Sequence, residues 1–223
     1  MLPATVAERV ARVRQRVERA AERAGRAPAE VTIVAVSKLA SPQAIEEAVA
    51  AGIAHLGESR VQEAAAKIPG LRDLPVTWHL VGHLQTNKAK TALELFDIIH
   101  SVDSLHLAEI LSHPDRSGPL PVLLEVNVAG EAAKFGFPPG EVATAARTVA
   151  RLPRLELRGL MTVAPLVSDP EAARPVFREL RQLRDSLGLR ELSMGMTDDF
   201  EVAIEEGATL VRIGRAIFGE RTP

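Results

Sequence analysis

Lysine is scarce in this chain and arginine is not. Of 27 basic side chains only five are lysines, at Lys38, Lys67, Lys88, Lys90 and Lys134. Lys38 closes a largely apolar run, VTIVAV at 31–36, followed by Ser37. A lysine placed there would be partly desolvated, which favours the neutral amine over the ammonium. Such an amine attacks aldehydes to form an imine. The competing reading is a lysine whose stem lies along apolar surface while its head reaches water, and position alone does not choose. A second chemical signal stands near the other end, in TLVRIGRAIFG at 209–219. Gly214 and Arg215 fall at a strand-to-helix turn with free backbone N–H groups, suited to phosphate. Thr197, in GMTDD at 195–199, adds a hydroxyl and a further N–H. Ordinary turn geometry would explain the glycines equally well.

Elements must bring these groups together. Short runs rich in Val and Ile are expected as strands at 31–37, 54–57, 76–82, 98–102, 122–128, 157–163, 191–194 and 209–213. Helical stretches lie between them. Ser41 and Pro42 form an N-cap and first helical position, and Gly52 closes that helix. The others are expected at roughly 60–67, 86–95, 104–112, 140–151, 170–186 and 198–206. Before the first strand, Val6, Val10, Val13 and Val17 mark one packed stripe on a helix over 4–24. Strands alternating with helices imply a parallel sheet, and eight units in 223 residues point to a closed (β/α)8 TIM barrel. The α/β alternative is an open doubly wound sheet, but no GxGxxG opens the first helix. The expectation is a single domain over 1–223, with the barrel at about 31–219.

The C-terminal ends of barrel strands are where chemistry gathers. The polar residues expected there are Lys38, Glu58, Ser59, His79, His83, His100, Ser101, Asn127, Thr162, Thr197, Asp198 and Arg212. Closure makes strands 1 and 8 neighbours, which sets Lys38 beside Thr197, Gly214 and Arg215. An imine-forming amine beside a phosphate cradle suits a phosphorylated aldehyde.

Composition narrows the classes. The net charge is −2, so bulk electrostatics give no reason to expect nucleic acid or a membrane surface as partner. No cysteine is present, which excludes disulfides, thiolate metal sites and a cysteine nucleophile and fits a reducing compartment. The arginine-rich start carries Glu8, Glu18 and Glu22, unlike an acid-poor transit peptide. No stretch is apolar enough to span a bilayer, and a soluble, cytoplasmic protein is expected. His79 and His83 would suit zinc on a helix, but they fall on or just after a strand. Asp198, Asp199, Glu205 and Glu206 are read as the solvated face of a helix, Lys88 and Lys90 as an exposed helix start or pocket rim, and Met194 with Met196 as either core or pocket.

Seven ordered blocks carry a resemblance. AVSK (35–38), GESRVQE (57–63), WHLVGHLQTNK (78–88), HSVD (100–103), GLMTV (159–163), LSMGMTDDF (192–200) and VRIGRAIFG (211–219) together resemble the YggS/PROSC family of pyridoxal phosphate homeostasis proteins. The resemblance implies a fold like the barrel domain of alanine racemase. It implies pyridoxal 5′-phosphate (PLP) as cofactor, held as a Schiff base on Lys38. It also implies a phosphate held by Thr197, Gly214 and Arg215, with Thr197 in place of the more usual serine. Arg212 would face the pyridine nitrogen, with Asn87, Met161, Ser193, Met194 and Met196 around the pocket. Ser59 replaces the family's usual asparagine, so its contact carries over weakly.

The implied role is a PLP-binding protein that buffers vitamin B6 and delivers it to apo-enzymes without robust catalysis. The alternative is a weak PLP-dependent amino-acid racemase. A third possibility is a cofactor-free Schiff-base lyase. A guanidinium at the ring nitrogen makes the cofactor a weaker electron sink. The chain also has no tyrosine, the opposing base that racemases of this fold bring from a second domain. His79, His83 or His100 would have to substitute. No long exposed apolar stripe is evident, and a monomer is expected.

Overall fold

The computed structural model describes residues 4–112 and 118–219. Eight parallel strands close in chain order, β1 pairing with both β2 and β8. They are β1 Thr32–Val36, β2 His55–Glu58, β3 Thr77–Leu80, β4 Ile98–Val102, β5 Leu120–Glu125, β6 Leu155–Met161, β7 Glu191–Ser193 and β8 Leu210–Ile213. The helices are α1 Val6–Arg23, α2 Pro42–Ala50, α3 Val61–Lys67, α4 Ala89–Leu95, α5 Leu105–Leu111, α6 Val142–Val149, α7 Arg174–Ser186, α8 Phe200–Glu205 and α9 Arg215–Phe218.

α1 begins at a capping box, Thr5 accepting from the Glu8 N–H while the Glu8 carboxylate accepts from Thr5 N–H. Its valine stripe is buried as the spacing predicts. Arginine, not lysine, fastens this helix to the barrel. Arg9 donates to the carbonyl of Ile217 at 2.6 Å, and Arg16 pairs with Glu201 while lying 4.5 Å over the Phe200 ring. Just past α1, Arg26 donates to the carbonyls of Ile204 and Ala208. The planar five-donor fork serves such multi-acceptor ties better than an ammonium.

Three expected helices open with a turn of 3-10 helix, at Thr86–Lys88, Pro139–Glu141 and Pro170–Ala173. Tightening of a first turn is common at helix starts. β5 begins two residues earlier than its Val-rich run suggests. Pro121 argues against a strand, yet it sits second in β5 opposite Glu156, just before a shift in the β5–β6 register. β5 also stops at Glu125, because Asn127 N–H turns to the carbonyl of Phe137. The Asn127 side chain clasps the following loop at Glu131 and Lys134.

The acidic pairs of the α8 region are not a solvated face. Asp199 is buried and accepts from Met196 N–H at 2.6 Å, and Glu206 is buried beneath Arg174, Arg178 and Arg181. Only Asp198 is exposed. Asp199 turns inward to cap its own turn, whereas arginines on α7, remote in sequence, cover Glu206.

Candidate functional site

Lys38 lies two residues beyond the end of β1, half-buried, and makes no hydrogen bond or ion pair among the described residues. Leu39 follows it at φ 61° with its side chain exposed. A branched side chain in the left-handed region is strained, and such strain clusters at functional turns. The residue before Lys38 is tied down from two sides. Ser37 Oγ donates to the buried Glu58 carboxylate at 2.7 Å, and Lys67 Nζ bridges that carboxylate and the Ser37 carbonyl, 2.7 Å from each. The second oxygen of Glu58 has no partner among the described residues. The turn bearing Lys38 is thus anchored by neighbours on β2 and α3 while its own amine stays unengaged.

β8 flanks β1 in parallel register, Val34 opposite Arg212 and Ala35 opposite Ile213. Gly214 therefore lies against Val36, where an added Cβ would stand 3.4 Å from the Val36 carbonyl oxygen. The N–H groups of Arg215 and Ala216 reach no backbone carbonyl among the described residues. The Arg215 side chain is exposed and paired with Asp198, joining the loops after β7 and β8. Thr197 is half-buried in the turn between them. That turn starts at Gly195, whose φ of 89° and close approach to Phe200 and Ala203 leave no room for a side chain. Thr197, Gly214 and Arg215 thus share one edge of the barrel mouth, next to the Lys38 turn.

Below that edge Arg212 is buried in the barrel. Its guanidinium donates to Ser193 Oγ at 2.6 Å and to the Thr162 carbonyl at 2.8 Å. Burial pulls its pKa down to about 10, and the charges of Glu125 and Asp199 pull the other way. It remains a cation at neutral pH. Glu125, at the end of β5, is buried with its Oε2 unpartnered. Burial first and the charge of Asp103 second push its pKa up to about 7, against the pull of Arg212. Met161 is buried, register-paired with Glu125 on one side and Ser193 on the other.

The remaining expected residues are spread more widely. Met194 is fully buried within the main apolar core. Met196 is half-buried beside a shallow hollow it shares with Leu166, Val167 and Asp198. Asn87 is exposed on the 3-10 turn before α4. Lys88 lines a rim hollow with Arg60, Glu63 and His83, while Lys90 is exposed. Ser59 is half-buried, its carbonyl packed so closely on Gly82 that a Cβ there would come within 2.3 Å. His79 and His83 part company. His83 bonds Asp103 at 2.9 Å and stacks on Phe135 at the rim, whereas His79 is buried inside the barrel.

His79 belongs to a chain of polar contacts that spacing did not reveal. His55 Nδ1 lies 3.0 Å from His79 Nε2, His79 Nδ1 lies 2.8 Å from His100 Nε2, and His100 Nδ1 lies 2.8 Å from Ser193 Oγ. Burial lowers the pKa of all three imidazoles, that of His79 to about 3. Glu125, His55, Asp103 and Lys67 went unrecognised as site residues. A signal existed for the first two: Glu125 interrupts the apolar run LLEV, and His55 opens the short strand HLGE.

The sequence profile of the alanine racemase N-terminal domain family matches residues 9–222. A pyridoxal phosphate homeostasis protein of Pseudomonas aeruginosa is 47% identical over 221 residues, covering 97% of this chain and 96% of that protein. The chain belongs to the pyridoxal phosphate homeostasis protein family. The solved structure of PipY from Synechococcus elongatus PCC7942 with PLP bound is 40% identical, with a TM-score of 0.80 over 92% of this chain and all of that one. Alanine racemase of Clostridium difficile 630 shares the fold, at 13% identity and a TM-score of 0.70, over 94% of this chain and 56% of the racemase. Relatives in this family are named for homeostasis rather than for a reaction. Among the described residues no helix is long and apolar enough to cross a membrane.

Proposed function

We propose that this chain binds pyridoxal 5′-phosphate as a Schiff base on Lys38, buffers it and delivers it to apo-enzymes in the cytoplasm as a monomer, without robust catalysis. What carries the reading is the unengaged Lys38 amine on a braced, strained turn, beside free N–H groups on the neighbouring β8 loop. The donor set fits a phosphorylated aldehyde: one primary amine, one cradle of N–H and hydroxyl donors, and one buried cation. PLP-bound PipY, similar along 92% of this chain, supports the same ligand.

In this reading Thr197, Gly214 and Arg215 hold the phosphate, and Arg212 and Ser193 lie below the ring. Met161 lines the site, with Met194 and Met196 nearby and Asn87 and Ser59 at the rim. The bound cofactor would supply an electron-accepting ring, and Arg212, a standing cation, would hold its nitrogen unprotonated and leave the ring a weak acceptor. A racemase needs a proton-transfer group on each face of the substrate. The chain has no tyrosine, and the buried imidazoles of His79 and His100 are committed to each other.

The test is the visible spectrum of the purified protein with added PLP, followed by borohydride reduction and peptide mapping. A yellow band that reduction fixes on Lys38, and that Lys38→Ala lacks, is expected. Absence of the band at saturating PLP would overturn the reading. Sustained Cα-proton exchange of several amino acids in deuterated water would favour the racemase.

A further inference from the structure

The three histidines form a ladder whose proton order can be worked out from one end. Arg212 carries only donors, so Ser193 Oγ, 2.6 Å away, accepts from it. The serine proton then needs an acceptor, and the one in reach among the described residues is His100 Nδ1. If Nδ1 accepts, the neutral His100 ring carries its proton on Nε2 and donates to His79 Nδ1. The same logic passes on to His55 Nδ1 and leaves an N–H on His55 Nε2, at the start of β2. Reversing every tautomer would leave the buried serine hydroxyl without an acceptor, at a cost that buried polar groups rarely bear.

This order bears on how Arg212 survives burial. Among the described residues no carboxylate lies within ion-pair distance of it, and Glu125 and Asp199 act only from farther off. A run of aligned groups, each turning its acceptor atom towards the guanidinium and donating onward away from it, spreads the charge across the barrel instead. All three imidazoles are held neutral by burial, which keeps the run intact. The stagger of the barrel builds it. His79 pairs in register with Gly57, two residues above His55, and with Ile98, two residues below His100. Each histidine therefore stands one inward step higher than the last.

We infer that His55, His79 and His100 act as positioning residues, a proton-ordered relay that through Ser193 stabilises and aims the Arg212 guanidinium at the cofactor ring. The inference rests on the PLP reading above, and the ladder is tested first without cofactor. Imidazole 15N–1H correlation spectra of the ligand-free protein near pH 7 are expected to show all three rings neutral with the proton on Nε2. A proton on His100 Nδ1, or an imidazolium in the ladder, would overturn the relay.

The second arm compares His79→Leu with His79→Gln. Leucine breaks the run, whereas glutamine accepts and donates in the same sense. Neither touches Arg212 or Ser193. His79→Leu should weaken PLP binding about fivefold and shift the visible band, with His79→Gln restoring both. Equal spectra and affinities for the two variants would mean that His79 only fills space. Failure of borohydride to label Lys38 in the unaltered protein strikes the PLP reading, while the tautomer pattern stands or falls by itself. Should His79→Leu fail to fold, the tautomers decide.

Discussion

Two regions of this molecule bury charge, and they do it in opposite ways. On the outside, where α7 meets α8, both oxygens of Glu206 are engaged by Arg174, Arg178 and Arg181 at 2.9–3.4 Å, and Glu205 is shared between Arg23 and Arg174. Inside the barrel, among the described residues, Arg212 has no carboxylate at contact distance, and Glu125 and Glu58 each keep an oxygen with no partner. The outer seam is complete within the chain, as a structural ion cluster has to be to repay desolvation. The interior set leaves polar atoms unmet beside the buried histidine ladder. Groups left in that state cost stability and mark a place meant for something else.

Titration divides the two regions further. Burial pushes Glu206 up, but hydrogen bonds from Arg178 and Arg174 outweigh it, and the net shift is downward. Such a carboxylate adds stability above the ordinary range and loses it as the pH falls through its folded value. Glu125 shifts the other way, from 4.5 to about 7. The folded state binds its proton more tightly, so its contribution is full below pH 4.5 and lost as the pH climbs through 7.

Three substitutions would break or sharpen the contrast. The largest effect is expected from Glu206→Ala, which takes the carboxylate away from Arg178 and Arg181 and leaves Arg174 with Glu171 and Glu205 alone. Those side chains stay partly exposed and can rehydrate, so the loss is put at about 2–3 kcal/mol rather than the full value for a sealed pair. Urea melts near neutral pH should show it, the PLP spectrum should not change, and the loss should shrink towards pH 4. A seam variant that altered the PLP band would erase the distinction between the regions. Glu125→Gln should act in the opposite sense, raising stability by about 2–3 kcal/mol at pH 8 and by only about 0.4 kcal/mol at pH 4.5. The parent and variant share the histidine ladder, whose own titration cancels in the difference, and equal midpoints at both pH values would place Glu125 in water rather than in the barrel. The smallest effect belongs to the Arg60–Glu63 pair at 3.3 Å, whose arginine is exposed. Arg60→Ala is expected to stay within about 0.5 kcal/mol in the same melts.

Much of the architecture was legible from local chemistry. The valine stripe of α1, the Ser41–Pro42 start of α2 and the apolar runs of β1, β4 and β8 announce themselves over a few residues, because helical and strand periods repeat within a turn or two. Their alternation supplied the barrel, and the barrel supplied the neighbourhood of Lys38 and Gly214. Elements went astray where a local sign misled. The run of Val and Leu set the fifth strand at 122–128 although pairing already begins at Leu120, and the acidity of Glu206 suggested solvent until α7 covered it.

The site divides along the same line. By itself the sequence determined which groups are available: a rare lysine after an apolar strand, a glycine-arginine turn after the last one, no cysteine and no tyrosine. Only the tertiary structure decided that His55, His79, His100, Ser193 and Arg212 join in one line. Their positions in the chain show no period. What aligns them is the stagger between neighbouring strands and the closure of β8 onto β1. Those are properties of how strands tilt and close into a barrel, and no window of local sequence contains them.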